Sequence, residues 1–193
     1  VVIIPIYYSD DEKGNVIQKA NQIKDSLSKI NLRVHLDDRE QLTPGFKFND
    51  WEMKGIPMRI EIGPKDIAKN QVVLARRHNQ TKTSIDMHTS SNTFSSVISS
   101  ELKNIQKEMF DTAKKILDER VVRVSEYQQF KEELENGKMI DCSWCGNQTC
   151  EDKIKEETGA DLRVIPFDNT EKSETCIYCK NSGTTNVLFA RGY

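Results

Sequence analysis

Residues 1–36, VVIIPIYYSDDEKGNVIQKANQIKDSLSKINLRVHL, decide the fold. Val1 to Ile4 and Ile6 make a short apolar run of the length and branching expected of a buried strand. The stretch "YYSDDEKGN" reads as a polar turn. Val16, Ala20, Ile23, Leu27 and Ile30 then recur at steps of four and three, the spacing of an amphipathic helix of about four turns. Asn31 closes that helix, and Leu32, Val34 and Leu36 alternate with Arg33 and His35 as in a half-buried strand. Strand, helix, strand is a parallel crossover unit, right-handed by default, so the chain opens as an α/β domain.

The pattern extends outward from there. Thr43-Pro44 is a helix start, with a capping hydroxyl and a proline in the first turn, and "GFKFNDWEMKG" runs to a stop at Gly55. Met58, Ile60 and Ile62 alternate with Arg59 and Glu61, giving a strand with a charged outward row that ordinarily reads as a solvated face. "GPKD" turns the chain, and "QVVLARR" and "TSIDM" flank His78-Asn79-Gln80 as a hairpin. The polar stretch "HTSSNTFSS" reads as a loop feeding a long helix through Ile98, Leu102, Ile105, Met109, Ala113 and Ile116. Ser125 and Gln128 have the spacing of a capping box for a further helix through Phe130 and Leu134, ending at Gly137. The domain boundary is therefore expected at 124/125, giving domains 1–124 and 125–193.

Composition bounds the function. With 193 residues, 36% hydrophobic and 30% charged, and a mean hydropathy of -0.64, the chain suits one or two polar globular domains and has no span resembling a membrane helix. The net charge is -2, so any grip on nucleic acid must be local. The apolar start lacks a basic leader region, a cleavage site and an initiator Met. It reads as mid-strand sequence, which points to a piece of a longer protein in the reducing cytosol.

All five cysteines fall in the last third, in "DCSWCGNQTCEDK" and "ETCIYCK". Five is odd, which leaves one thiol over in any disulfide scheme. Nucleophilic chemistry wants a nearby histidine, and His35, His78 and His88 all precede this region. Cys145 and Cys150, with Cys176 and Cys179, form two close pairs separated by a helical "CEDKIKEETG" and a strand "LRVIPF". That is the pattern of a tetrathiolate zinc site. So small a module has little apolar core, and a structural zinc ion contributes on the order of 10 kcal/mol or more of apparent folding free energy. Inert thiols are the alternative. Cys142 reads as a small strand residue outside the metal shell.

The stretch LDDREQLTPGFKFNDWEMKGIPMRIEIGPKD, residues 36–66, resembles the anticodon-binding domain of prolyl-tRNA synthetases of the eukaryotic and archaeal type. "WCGNQTCE", "CIYC" and the terminal "FARGY" resemble the zinc-binding extension of that branch. The resemblance covers nearly the whole chain. It implies an α/β fold with a mixed β-sheet flanked by helices, followed by a small α/β zinc-binding domain with structural Zn. It also implies a proline-tRNA ligase, a class II synthetase, as the parent, binding proline, ATP and Mg in a catalytic domain that these residues do not supply. The parent would be homodimeric and cytoplasmic, with no membrane partner. A stand-alone accessory module binding tRNA or protein without catalysis is the competing reading.

Proline codons imply guanines at the second and third anticodon positions. Guanine's N1 and N2 donors suit a carboxylate, and its O6 and N7 acceptors suit a cation. By resemblance, the tRNA(Pro) anticodon contacts fall on Glu52, Arg59, Asp66 and Lys82, with Thr81 the neighbouring alternative to Lys82. Phe46, Phe48 and Trp51 read as core or as stacking platforms. Arg39, Arg76 and Arg77 read as surface or as phosphate contacts. Resemblance also points to a role for the Tyr193 carboxylate near the parent's active site.

Overall fold

A computed structural model describes residues 1–87, 91–167, 174–183 and 185–192; Tyr193, for which the resemblance implies a role, lies outside them. The chain forms two compact units, Val1–Asp111 and Thr112–Tyr193, which divide inside one long helix.

The first unit is built on a five-stranded mixed sheet. In chain order its elements are β1 (Val2–Pro5), α1 (Asp10–Ser28), β2 (His35–Leu36), α2 (Pro44–Met53), β3 (Met58–Ile62), α3 (Pro64–Ala68), β4 (Gln71–Arg76), β5 (Lys82–Asp86) and the start of α4 (Ser91–Arg120). The strand order is β2-β1-β3-β4-β5. β1 runs parallel to both β2 and β3, and β3, β4 and β5 are antiparallel. The crossover that opens the sequence is therefore present.

Several local expectations shift. The "polar turn" is helix from Asp10, because Asp10, Asp11 and Glu12 complement the positive end of α1 and Glu12 accepts from the Tyr8 amide at 3.0 Å. Asn31, at φ 61°, ends the helical segment. Only His35 and Leu36 of the expected second strand reach the β1 ladder. Leu32 and Val34 pack against the core without pairing. "GPKD" forms α3 rather than a simple turn, and the loop before the long helix is helical from Ser91.

The face of the sheet carrying Ile3, Met58, Ile60, Ile62, Val72 and Leu74 is sealed by α1 and by Phe94, Ile98 and Ile105 of α4. α2 packs on β1. Its Thr43 cap accepts from the Phe46 amide, Pro44 occupies the first turn, and Gly55 takes the left-handed φ of 78° after the helix.

A hub fixes α2. The fully buried Asp37 carboxylate accepts from Arg39 Nε (2.9 Å), Arg39 Nη2 (2.7 Å) and Trp51 Nε1 (2.7 Å). Lys47 Nζ donates to the Asp37 carbonyl at 3.1 Å. Burial opposes the charge on Asp37, but the donors from Arg39 and Trp51 outweigh it and hold the carboxyl well below the usual carboxylate range.

The second unit contains the end of α4, β6 (Val121–Arg123), α5 (Tyr127–Glu135), β7 (Met139–Trp144), α6 (Gln148–Thr158), β8 (Ala160–Val164) and β9 (Thr185–Arg191). Its sheet is again mixed, in the order β6-β7-β9-β8. Phe130, Leu134, Ile140, Cys142, Ile154, Val187 and Phe189 form its core. The expected Ser125–Gln128 capping box is absent. The cap residue is Glu126, and the Gln128 amide donates forward to Glu132 at 3.0 Å. Gly159, at φ 70°, ends α6 in the left-handed conformation that glycine adopts at no steric cost.

Candidate nucleic-acid interface and metal centre

Residues of β3 alternate between faces. With Met58, Ile60 and Ile62 in the core, Arg59 and Glu61 face the opposite way. Register extends this row across the sheet, because Arg59 stands opposite Ala75 and Ala75 opposite Lys82. Phe48 of α2 meets the row. The Arg59 guanidinium carbon lies 4.4 Å from its ring centroid and Lys82 Nζ 5.3 Å.

Four charges close on one another here. Arg59 Nε donates to Glu61 Oε1 at 2.8 Å, Lys82 Nζ donates to Glu61 Oε2 at 2.9 Å, and Arg59 Nη1 donates to Glu52. The charged row is thus a chain of paired side chains rather than a set of separately solvated ones. Glu61 is 7% exposed, since each of its oxygens has its own cation beside it. Neither pattern nor resemblance assigned Glu61 a recognition role, yet it joins the two candidate base-reading cations. Only the tertiary position of Phe48 reveals this.

Of the four predicted contacts, Glu52, Arg59 and Lys82 come together. Asp66 does not join them. It lies in α3, where its Oδ2 accepts from the Gly63 amide at 3.0 Å. Gly63 itself passes close to β1, and a side chain there would press on the Ile6 carbonyl at 3.2 Å. Along an extended strand, the position of Gly63 is roughly 13 Å from that of Arg59 at about 3.3 Å per residue. Glu52 and Asp66 therefore suit different ligand groups.

The neighbouring arginines separate in the same way. Arg39 pairs with Asp37 and, at 2.8 Å, with Asp50. Arg76 pairs with Glu101 and, at 3.2 Å, with Glu108. Phe46 is exposed, whereas Trp51 is held by Asp37 and lies against His35.

In the second unit, β7 delivers Cys145 to a turn at Gly146 (φ 78°), and the first turn of α6 presents Cys150. Asn147 caps α6 by accepting from the Thr149 amide at 2.9 Å. The opposing "CIYC" turn is pinned to β7 by the Ile177 amide, which donates to the Ser143 carbonyl at 2.9 Å. It is braced at Tyr178, whose hydroxyl donates to Glu157 at 2.8 Å.

These turns bring the sulfurs of Cys145, Cys150, Cys176 and Cys179 within 4.8 Å of one another. Cys145 and Cys150 are 3.6 Å apart and Cys179 and Cys145 3.8 Å. No disulfide links them, and a disulfide would need about 2.05 Å. Four sulfurs around a central ion at about 2.3 Å would sit about 3.8 Å apart in a tetrahedron, so this set fits a tetrathiolate metal site. Burial pushes the Cys150 thiol up to about 12, whereas the Asn181 amide helps draw Cys179 down to about 7. Four thiolates this close need a cation to coexist. Cys142, fully buried in β7, stands outside the group, its thiol pushed up to about 12 by burial.

Comparison with known proteins matches both units. Residues 1–96 match the anticodon binding domain family, and residues 127–193 match the family described as prolyl-tRNA synthetase, C-terminal. Over its whole length the chain is 43% identical to the proline-tRNA ligase of Cenarchaeum symbiosum and 39% identical to the chloroplastic/mitochondrial proline-tRNA ligase of Arabidopsis thaliana. A Clostridium botulinum proline-tRNA ligase is 40% identical over the same span. The chain spans 39%, 36% and 38% of those three relatives. The charged, ring-backed row thus lies in the segment matched to the anticodon binding domain, the four convergent thiols lie in the segment matched to the prolyl-tRNA synthetase C-terminal family, and over its whole length the chain is similar to proline-tRNA ligases.

Proposed function

We propose that this chain is the tRNA-recognising and zinc-bearing region of a proline-tRNA ligase. In that reading the parent enzyme attaches proline to its tRNA using ATP and Mg, in sequence outside these residues. It works in the cytosol, where five free thiols persist, and as a homodimer. Among the described residues, no helix is long and apolar enough to cross a membrane.

The observation that carries this reading is the juxtaposition of Glu52 with Arg59, whose guanidinium lies over Phe48. A guanine edge offers two adjacent donors, N1–H and the N2 amine, beside the O6 acceptor. A carboxylate next to a guanidinium is the matching set. Arg59 is already stacked on Phe48, and the crevice that both help to line, with Trp51, Glu52 and Arg77 among its other walls, holds only about 10 Å³. The base therefore meets the pair edge-on from outside rather than by intercalation. The Glu52 side chain is 28% exposed and that of Lys82 50%, so both remain within a ligand's reach.

Glu61 orients both cations in advance, which lowers the entropy lost on binding. The second guanine falls to Asp66, whose Oδ1 remains available beside the Gly63 bond. For the thiol cluster we assign zinc, because an all-sulfur tetrahedral set suits it. When bound, the ion supplies folding free energy to the unit. This chain's part is to hold four sulfurs on two braced turns.

The test is equilibrium binding of proline tRNA, with competition by tRNAs altered at one anticodon guanine and by unrelated tRNAs. The expected order is a loss of roughly 5- to 150-fold for each altered guanine, equivalent to about 1–3 kcal/mol. Equal binding of unrelated tRNAs rejects the reading.

A further inference from the structure

Counting charge around Phe48 leaves one group over. Glu52 and Glu61 offset Arg59 and Lys82, so that quartet is neutral. Arg77 borders the same crevice with Phe48, Trp51, Glu52, Arg59 and Ala75. It is the first residue of the turn that follows β4. Its amide donates to the Pro57 carbonyl at 3.0 Å, which anchors its backbone beside the start of β3.

Unlike Arg39 and Arg76, which are committed to carboxylates, Arg77 has no carboxylate partner among the described residues. Its Nε is buried with no hydrogen-bond partner. A buried, unsatisfied guanidinium nitrogen is costly, and natural proteins keep few of them.

We propose that Arg77 binds a backbone phosphate of the RNA strand whose base meets Glu52 and Arg59. This rests on the reading of that pair as an anticodon contact. A guanidinium offers a planar fork of donors to phosphate oxygens. Among the described residues, Arg77 is the cation of the cluster without a carboxylate beside it, and it supplies the net attraction that the neutral quartet lacks. Arg77 thereby fixes where the strand lies, and its neighbours select the base.

The test uses the whole chain and full-length proline tRNA, with binding measured across a series of salt concentrations for the parent sequence, Arg77→Gln and Arg77→Lys. Arg77→Gln is expected to weaken binding about tenfold, the lower end for a hydrogen bond to a charged group. The loss should be equal for tRNAs with intact and altered anticodon guanines. The slope of log affinity against log salt should fall by about 0.7 to 0.9, and Arg77→Lys should restore most of it. Unchanged affinity and slope overturn the proposal, as does a loss confined to tRNAs with intact guanines, which would make Arg77 a base reader. Thermal unfolding of each variant identifies a folding defect. In that event Arg77→Lys decides alone: a restored fold with a parental slope supports the proposal, and a restored fold with the slope of a missing contact overturns it. If the parent chain does not distinguish anticodons but the Arg77 slope change persists, the base-reading assignment has failed and the phosphate contact stands.

Discussion

Replacing Asp37 by Asn tests whether the hub that seats α2 governs the first unit. The side chain is fully buried and accepts two bonds from the Arg39 guanidinium, one from the Arg39 amide and one from Trp51. An amide keeps an acceptor for Trp51 but removes the charge and turns an NH2 group toward the guanidinium. Hydrogen bonds involving a charged group contribute about 1.5–3 kcal/mol each, and breaking a buried ion pair costs about 3–5 kcal/mol. Arg39 is partly solvated and keeps Asp50, so the loss at Asp37 belongs near the lower bound, about 3 kcal/mol. For a domain of about 100 residues that lowers the melting temperature by roughly 10–20 °C.

The sign of the pH dependence follows from the depressed Asp37 carboxyl. Its stabilisation is complete above the unfolded carboxylate value of about 3.9 and declines as pH falls from there toward the lower folded value. Denaturant unfolding of the parent and Asp37→Asn chains should therefore differ by a constant amount from pH 7 to about pH 5, with the gap shrinking below about pH 4. A gap under about 0.5 kcal/mol, or one unchanged down to pH 3, refutes the reasoning.

Two further outcomes are expected. Purified chain should carry one zinc per molecule by elemental analysis. A chelator or Cys176→Ser should remove it and abolish hydrogen-exchange protection in β7 and β9, since the apparent metal contribution of about 10 kcal/mol matches or exceeds the whole stability of an ordinary domain, about 5–15 kcal/mol. Metal-free chain with intact protection there would contradict the structural role. Phe48→Ala should leave the fold intact, because the ring is only partly buried. It should reduce discrimination between intact and altered anticodons by about 1 kcal/mol, the scale of a cation–π contact, as measured by competitive tRNA binding.

Local signals made much of this legible. The alternation 58–62, the Thr43-Pro44 cap, the Gly55, Gly137 and Gly159 stops and the paired cysteines each act within a few residues, and each appears in the fold. What was illegible depends on distant packing. Glu61 looks solvated in sequence and is buried because Phe48 brings Arg59 and Lys82 over it. Arg76 and Arg77 are indistinguishable as a pair, yet Arg76 ends β4 and Arg77 begins the turn after it. One reaches Glu101 and Glu108, and the other borders the Phe48 crevice. Helix α1 gains its first turns from an acidic run that also reads as a loop, and the expected α5 cap loses Gln128 to Glu132.

In the proposed function, Glu52 accepts from the donor edge of an anticodon guanine while Arg59 lies alongside. The most direct measurement is a double-mutant cycle, with Glu52→Gln on one arm and, on the other, inosine in place of guanine at the second or third anticodon position, which deletes only the exocyclic amine. Binding of all four combinations should give a coupling of at least about 1 kcal/mol at one of the two positions. Additive losses at both positions, within about 0.3 kcal/mol, would contradict the account.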